Sequence, residues 1–322
     1  MRSGFWRQLN PPKAENNMEI KENVPLAPLT TFQIGGAARW FVEVKNAEEI
    51  KAAIAFAHER GTRFLILAGC SNVLVPDEGL DALIIYVVAG EYSFSGTILE
   101  ADAGSNLLKL IRAAGERGLG GWEKLAGIPG SIGGAVRGNA GAFGTEIKDF
   151  ATNIHALNAE TGETREFTNA ECDFSYRHSF FKDHQEWIIT HIITRLNLVN
   201  PEESMRLAQD TIAEREKRHL QNVKAAGSFF MNPVAPPELL AMFEQEKGVR
   251  SRENRVPAGW LIEKAGMKGA CVGGACASEQ HPNYIVNNGN ATAMDVQTLA
   301  AKVQAEVKKQ FGVNLVEEAA VL

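Results

Sequence analysis

The absences in this chain narrow its function first. No apolar run approaches the length of a bilayer crossing: the longest weakly polar stretch, Leu125 to Val136, is short and rich in glycine, so no membrane span is expected. Cysteine is scarce. Cys70, Cys172, Cys271 and Cys276 are too few in 322 residues for a disulfide framework, and Cys271-x4-Cys276 has no second pair at metal-ligand spacing. All four are therefore expected as reduced thiols. No histidine stands beside another metal-type ligand at helical spacing, so no metal is expected. There is no surplus of positive charge either, and a net charge of -6 speaks against a nucleic-acid partner. The first residues, Met1-Arg-Ser-Gly-Phe-Trp-Arg7, lack the apolar core and cleavage pattern of a signal peptide, which points to a cytoplasmic location. Neither Gly-x-x-x-x-Gly-Lys-Ser/Thr nor Gly-x-Gly-x-x-Gly occurs, so a nucleotide would have to be bound without either fingerprint.

What is present is a globular composition, 45% apolar and 22% charged, long enough for two or three domains. Residues 1–23 are polar, with Pro11-Pro12 and Asn16-Asn17, and read as a disordered or extended arm. Trp40 to Val44 reads as a strand, Asn46-Ala-Glu-Glu49 as a capping box opening a helix over 47–60, and Phe64 to Leu67 as a buried strand. Together they predict a βαβ unit. Gly69-Cys70-Ser71-Asn72 follows at the carboxyl end of that strand, where α/β sheets place ligand phosphates.

From Gly127 to Gly144 the chain carries Gly127, Gly130, Gly133, Gly134, Gly138, Gly141 and Gly144 among Ile128, Pro129, Ile132, Val136 and Phe143. So much glycine predicts a poor helix. The apolar anchors argue against a flexible linker and for ordered turns whose bare backbone receives a ligand. Downstream, Ile154 to Leu157 and Arg165 to Phe167 flank a Glu160-Thr-Gly-Glu163 turn as a hairpin, and Trp187 to Leu196 is a long strand. A charged helical pattern over 201–218 suggests a domain boundary. Ser228 stands behind Gly227 and before two aromatics, as a loop-held hydroxyl would. Thr292-x-x-Asp295 caps a helix with Val296, Leu299, Ala300, Val303 and Val307 on one face, stopped by Gly312.

Thr30-Thr-Phe-x-Ile-Gly-Gly36, Gly127-Ile-Pro-Gly-x-Ile-Gly-Gly134 with Asn139-Ala-Gly-Ala-Phe-Gly144, and Tyr176-Arg177-x-Ser179-x-Phe181-Lys182 occur in that order. Ala226-Gly-Ser-Phe-Phe-x-Asn-Pro233, Ala258-Gly-Trp-Leu-Ile262 and His281-x-Asn-x-Ile-Val-Asn287 follow. From about residue 24 onward the chain thereby resembles the UDP-N-acetylenolpyruvoylglucosamine reductase family. The short span from Arg177 to Ser228 is similar to the compact form that lacks an extra tyrosine-bearing loop. The resemblance implies an α+β architecture: a vanillyl-alcohol-oxidase-like FAD-binding domain in two parts, 24–90 and 91–212, and an α+β substrate domain over 213–322 whose end returns to the flavin. It implies non-covalent FAD and NADPH as co-substrate, with Gly69, Cys70, Ser71 and Asn72 at the pyrophosphate. Gly127, Ile128, Pro129, Gly130, Gly133, Gly134, Asn139 and Gly141 would lie near the isoalloxazine.

By the same resemblance the substrate is the enolpyruvyl ether of UDP-N-acetylglucosamine, reduced to UDP-N-acetylmuramate for the bacterial cell wall by a protein expected as a monomer. Arg177 would hold the substrate carboxylate, Ser228 would protonate the enolate carbon, and Glu318, or the adjacent Glu317, would be the catalytic carboxyl. Tyr176, Asn232 and His281 match substrate-contacting positions. Arg215, Lys217 and Arg218 offer either a contact to the uridine diphosphate or a solvated helix face. The chain departs from the family in carrying Ala68 and Cys70 where glycine is frequent, which puts a thiol beside the cofactor, and Met231 where lysine is usual. Two alternatives remain open on sequence: an oxidase of the same fold acting on a hydroxy acid or sugar alcohol, and a non-catalytic nucleotide-sugar binding module.

Overall fold

The computed structural model describes residues 18–218 and 222–322. Of the expected arm, residues 1–17 lie outside the described residues, while residues 21–23 already belong to the fold: β1 (Lys21–Pro25) runs antiparallel to β2 (Ala37–Val44). Helix α1 (Ala47–Glu59), β3 (Phe64–Leu67), the short β4 (Val73–Leu74) and β5 (Leu80–Val87) complete the first unit. The predicted strand, helix, strand unit is there, with β5 inserted between its strands and parallel to both, in the order β1-β2-β5-β3. Leu83, Ile84 and Ile85 of β5 are fully buried, as a central parallel strand requires. Asn46 Oδ1 caps α1 by accepting from the Glu49 N–H at 2.9 Å, while the Glu49 carboxylate reaches the Lys45 N–H.

The second unit comprises β6 (Tyr92–Ser95), β7 (Ile98–Asp102), α2 (Leu107–Gly115), β8 (Leu119–Gly120), α3 (Ile132–Arg137), β9 (Gly141–Ala142) and β10 (Thr145–Glu146). It continues with β11 (Ala151–Asn158), β12 (Thr164–Thr168), α4 (Phe180–Asp183), β13 (Trp187–Arg195) and β14 (Asn197–Leu198). Five of these strands form an antiparallel sheet, β12-β11-β13-β7-β6, with the β11–β12 hairpin where the Glu160–Glu163 turn predicts it. Trp122, Phe167, Phe181 and Ile192 fill the core beneath it.

Helix α3 falls inside the glycine stretch, where composition argues against a helix. Two local facts overcome the glycines. Ser131 Oγ caps the helix by accepting from the Gly134 N–H at 3.2 Å, and tertiary burial of Ile132, Ala135 and Val136 replaces intrinsic propensity. The expected division between residues 212 and 213 also shifts. It cuts α5 (Pro201–Lys217), which runs unbroken across that point and is tied to the second unit by Ser204 Oγ, a donor to Glu123 at 2.6 Å.

The third unit holds α6 (Pro237–Lys247), α7 (Ala258–Lys264), β15 (Cys271–Val272), β16 (Ala275–Ala277), β17 (Ile285–Asn287), α8 (Ala293–Phe311) and β18 (Ala320–Val321). The capping box Thr292–Asp295 and the buried face of α8 are as the sequence predicts, and Gly312 ends the helix in a left-handed conformation at φ +68°. Cys271 and Cys276 overturn the reduced-thiol expectation. The β15–β16 register sets them directly opposite, Cα atoms 4.1 Å apart, and they form a disulfide. Spacing alone does not reveal that register. Cys70 and Cys172 are free and buried, and burial pushes their thiols up to about 11 and about 12.

The third unit is tied to the first at several points, among them the following. Strand β18 pairs in parallel with β4, Asp77 accepts from the Ala293 N–H at the start of α8 (2.7 Å), and Asn287 Nδ2 donates to the Phe32 carbonyl (3.1 Å). No helix among the described residues is long and apolar enough to cross a membrane.

Candidate active site

The two stretches singled out for bare backbone lie against each other. The turn after β3 meets the loop before α3 so closely that a Cβ on Gly69 would stand 2.5 Å from Gly130 Cα. Ser71 Oγ donates to the Pro129 carbonyl at 2.9 Å and locks the two together. Gly130 itself sits at φ +111°, open to glycine and closed to other residues. Gly69, Pro129 and Gly134 are exposed, whereas Gly127 and Gly133 are buried beneath them and Ile128 packs into the core of the second unit. The result is a floor almost free of side chains.

Two expected floor residues play other parts. Cys70 turns its side chain into the apolar cluster of Leu26, Phe41, Leu67 and Val75, so the thiol is not beside the ligand surface and only the backbone of this residue belongs to the turn. Asn139 is fully buried. Its amide donates to Glu146 (2.9 Å) and to the Ser175 carbonyl (2.8 Å) and accepts from the Lys148 N–H (3.1 Å), so it shapes the loop and does not face the opening. Gly141 does border the site, its carbonyl accepting from Arg177 Nη2 at 3.0 Å.

Arg177 stands at the tip of a tight turn. Ser175 and His178 exchange backbone hydrogen bonds (3.2 and 3.1 Å), leaving Tyr176 and Arg177 between them with Arg177 left-handed at φ +57°. Its Nε is 2.7 Å from Glu318 Oε1, an ion contact whose N–H is not aligned for a hydrogen bond. Glu318 reaches this point because the C-terminal tail lies along the Ser228 loop. The Glu318 N–H donates to the Phe229 carbonyl (2.8 Å) and the Met231 N–H to that of Val316 (2.9 Å). Glu317 bridges to Phe230, so Glu318 is the carboxylate that meets Arg177. Ser228 is thus one residue from the backbone bond that carries Glu318. It is half-buried, and among the described residues no hydrogen bond holds its hydroxyl. Asn72 Nδ2 donates to the Glu318 carbonyl at 3.0 Å, which ties the tail to the floor. Burial pushes the Glu318 carboxyl above the usual carboxylate range, against a downward pull from Arg177 and Lys182.

Around this pair lies a polar wall. The ring of Tyr176 is flanked by the guanidinium groups of Arg255 (4.5 Å) and Arg177 (5.3 Å), and its hydroxyl accepts from the Asn232 N–H at 3.2 Å. Asn232 spends its side-chain oxygen on the Ala258 N–H (2.9 Å), and its carbonyl accepts from Arg255 (2.8 Å). His281 packs edge-on to Tyr284 at 4.9 Å, with its titration pushed down by burial. Arg215, which the sequence left between ligand contact and solvated face, is buried against Tyr284. Among the described residues, the buried Nε atoms of Arg177, Arg215 and Arg255 and Nδ1 of His281 have no hydrogen-bond partner, those of Arg177 and Arg255 being in ion contact only, with Glu318 (2.7 Å) and Glu253 (3.5 Å). Unspent buried donors are costly, and an anionic, oxygen-rich ligand would satisfy them. A cavity of about 410 Å³ opens alongside, lined by Met231, Asn232, Arg255 and Val316 among others.

Sequence reasoning did not single out Lys182, Arg255 or Tyr284 as site residues. Lys182 could have been found inside the Tyr176–Lys182 motif. Arg255 and Tyr284 carry no local signal, because each reaches the site only through the third unit packing on the second.

Residues 38–168 match the family model of an FAD binding domain, and the floor lies within that span or borders it. Fold and site together define an FAD-binding oxidoreductase. The floor fits the cofactor on its own geometry, since the close approach of the Gly69 turn to Gly130, which a Cβ at either position would disrupt, presents exposed backbone at Gly69 and Gly134 to a flat dinucleotide. Residues 218–322 match the model of UDP-N-acetylenolpyruvoylglucosamine reductase, C-terminal domain. The chain is 37% identical over 306 residues to the UDP-N-acetylenolpyruvoylglucosamine reductase of Carboxydothermus hydrogenoformans, covering 94% of each chain. It is 34% identical over 305 residues to that of Solibacter usitatus, covering 94% of this chain and 96% of the relative. The crystal structure of the Thermus caldophilus reductase superposes with a TM-score of 0.74 at 30% identity, over 94% of this chain and 99% of that one. The chain belongs to the UDP-N-acetylenolpyruvoylglucosamine reductase family.

Proposed function

We propose that this protein uses NADPH to reduce the enolpyruvyl ether of UDP-N-acetylglucosamine to UDP-N-acetylmuramate, a cytoplasmic step of peptidoglycan precursor synthesis. The observation that carries the reading is the Arg177–Glu318 contact of 2.7 Å, delivered by the tail that lies along the Ser228 loop and is bonded to Asn72 of the glycine floor. The backbone of Gly69 to Asn72 and Gly127 to Gly134 would hold FAD without a covalent bond, and the cofactor would supply the hydride.

The substrate carboxylate gains negative charge as hydride reaches the vinyl carbon. Arg177 answers that charge with a planar guanidinium that Glu318 holds in ion contact at 2.7 Å. Burial raises the Glu318 carboxyl, which favours the protonated form that would give a hydrogen bond to the enolate oxygen while the proton itself reaches carbon from Ser228. The hydroxyl of Ser228 donates the proton to carbon; a serine is a weak acid, so its contribution rests on being held at the reacting atom. Tyr176, Asn232 and His281 form the wall for the nucleotide sugar, joined by Arg215 and Arg255 with their unspent donors.

The test is anaerobic. NADPH should bleach the yellow protein, and the enolpyruvyl substrate should restore the colour. A protein bleached by NADPH but indifferent to that substrate would contradict the reading.

A further inference from the structure

Lys182 has no role in the reaction derived above, yet its surroundings are not those of a solvated charge. It lies on α4, anchored by fully buried Phe181 and by Ser179, whose Oγ donates to the Arg137 carbonyl at 2.7 Å. From that anchorage its ammonium donates to the Arg177 carbonyl, also at 2.7 Å. Arg177 is the residue that the turn forces into the left-handed region, a conformation that a side chain disfavours and that an outside bond must hold.

We propose that Lys182 is a positioning residue for the reduction, fixing the left-handed Arg177 turn through its carbonyl and supplying a second cation behind the Arg177–Glu318 pair. Arg177 and Tyr176 face Glu318 from the turn, Lys182 from α4 and Tyr284 from the segment before β17. Lys182 in turn faces Arg137 of α3 and the neighbouring Asp183. Of these, Arg177 and Lys182 are the groups that pull the Glu318 carboxyl down against burial, so removing the Lys182 charge moves Glu318 further up.

The consequence appears in the pH profile of flavin reoxidation by the enolpyruvyl substrate. If Glu318 acts protonated, reoxidation falls as pH rises through its titration, giving an alkaline limb. Lys182→Met should slow reoxidation about 10-fold to 100-fold through the misplaced guanidinium and move that limb upward. The NADPH step should be spared. Lys182→Arg keeps donor and charge and should return the limb to its wild-type position. Lys182→Gln keeps a donor without charge, so the limb should move with a smaller loss of rate, and it carries the test if the methionine variant does not fold.

Because the inference rests on the proposed reaction, wild-type protein runs alongside. No reoxidation by wild type would contradict that reaction and this role with it. Wild-type reoxidation with an unmoved limb in Lys182→Met or Lys182→Gln, or equal losses in both half-reactions, would overturn the role of Lys182 alone.

Discussion

At the scale of single residues, the site is a set of charges whose burial decides their state. His281 shows the effect on stability. Burial, with Arg218 and Arg215 nearby, holds its imidazole below the ordinary value of 6.5. The unfolded chain then binds a proton more readily than the folded one, so this contribution is full above about pH 6.5 and declines as the pH falls through it toward the lowered folded value. His281→Gln should flatten that decline. Urea unfolding at pH 7.5 and 5.5 checks it: the midpoint of the wild type should drop more than that of the variant, and equal drops would show that His281 is not the group involved.

Arg177 and Ser228 could be named from the sequence because each sits inside an ungapped motif, whereas Glu318 was named only by the family resemblance, with Glu317 as the alternative. Their wall was not legible. Arg255 meets Tyr176 across domains, and the unpaired donors of Arg215 and His281 exist only once α5 and the segment before β17 are packed together. The departure at Cys70 was visible, but the direction of its side chain depends on a left-handed backbone at φ +43° that composition does not reveal.

At the scale of elements, α3 carries most of the argument. It exists despite its glycines, and one of them is required by contact: a Cβ on Gly133 would lie 2.7 Å from Ala103 Cβ and 2.8 Å from the Ala103 carbonyl. Gly133→Ala should therefore cost about 1–3 kcal/mol by overpacking and weaken FAD retention, because α3 and the floor would lift from β7 together. Thermal unfolding and the flavin content of the purified variant measure both. Unchanged values would mean that the floor is not fixed by this close approach. The helix was missed for the reason that makes it informative: burial, not propensity, holds it. The β15–β16 disulfide was hidden in the same way, since hairpin register decides whether two cysteines face each other.

At the scale of the whole molecule, the last residues close the site from the far end of the chain. Strand β18 pairs with β4, and the Ala320 N–H donates to the Asn72 carbonyl at 3.0 Å. Removing residues 320–322 should leave bleaching by NADPH nearly intact and slow reoxidation by the enolpyruvyl substrate about tenfold or more, as Glu318 loses its fixed position. Equal effects on both would show that the tail only stabilises the fold. The two-part FAD-binding region and the third domain follow the architecture that the motifs implied. The division between second and third units could not be read as accurately, because a charged helix looks alike whether it links domains or belongs to one. We place it after α5.

A guanidinium, a hydroxyl and a carboxyl from separate segments should act together in the second half of the reaction only. Rapid-mixing absorbance of Ser228→Ala tests it most directly. Bleaching by NADPH should run at a rate close to wild type, and the return of colour with the enolpyruvyl substrate should stall. Equal damage to both steps, or an undisturbed second step, would contradict it.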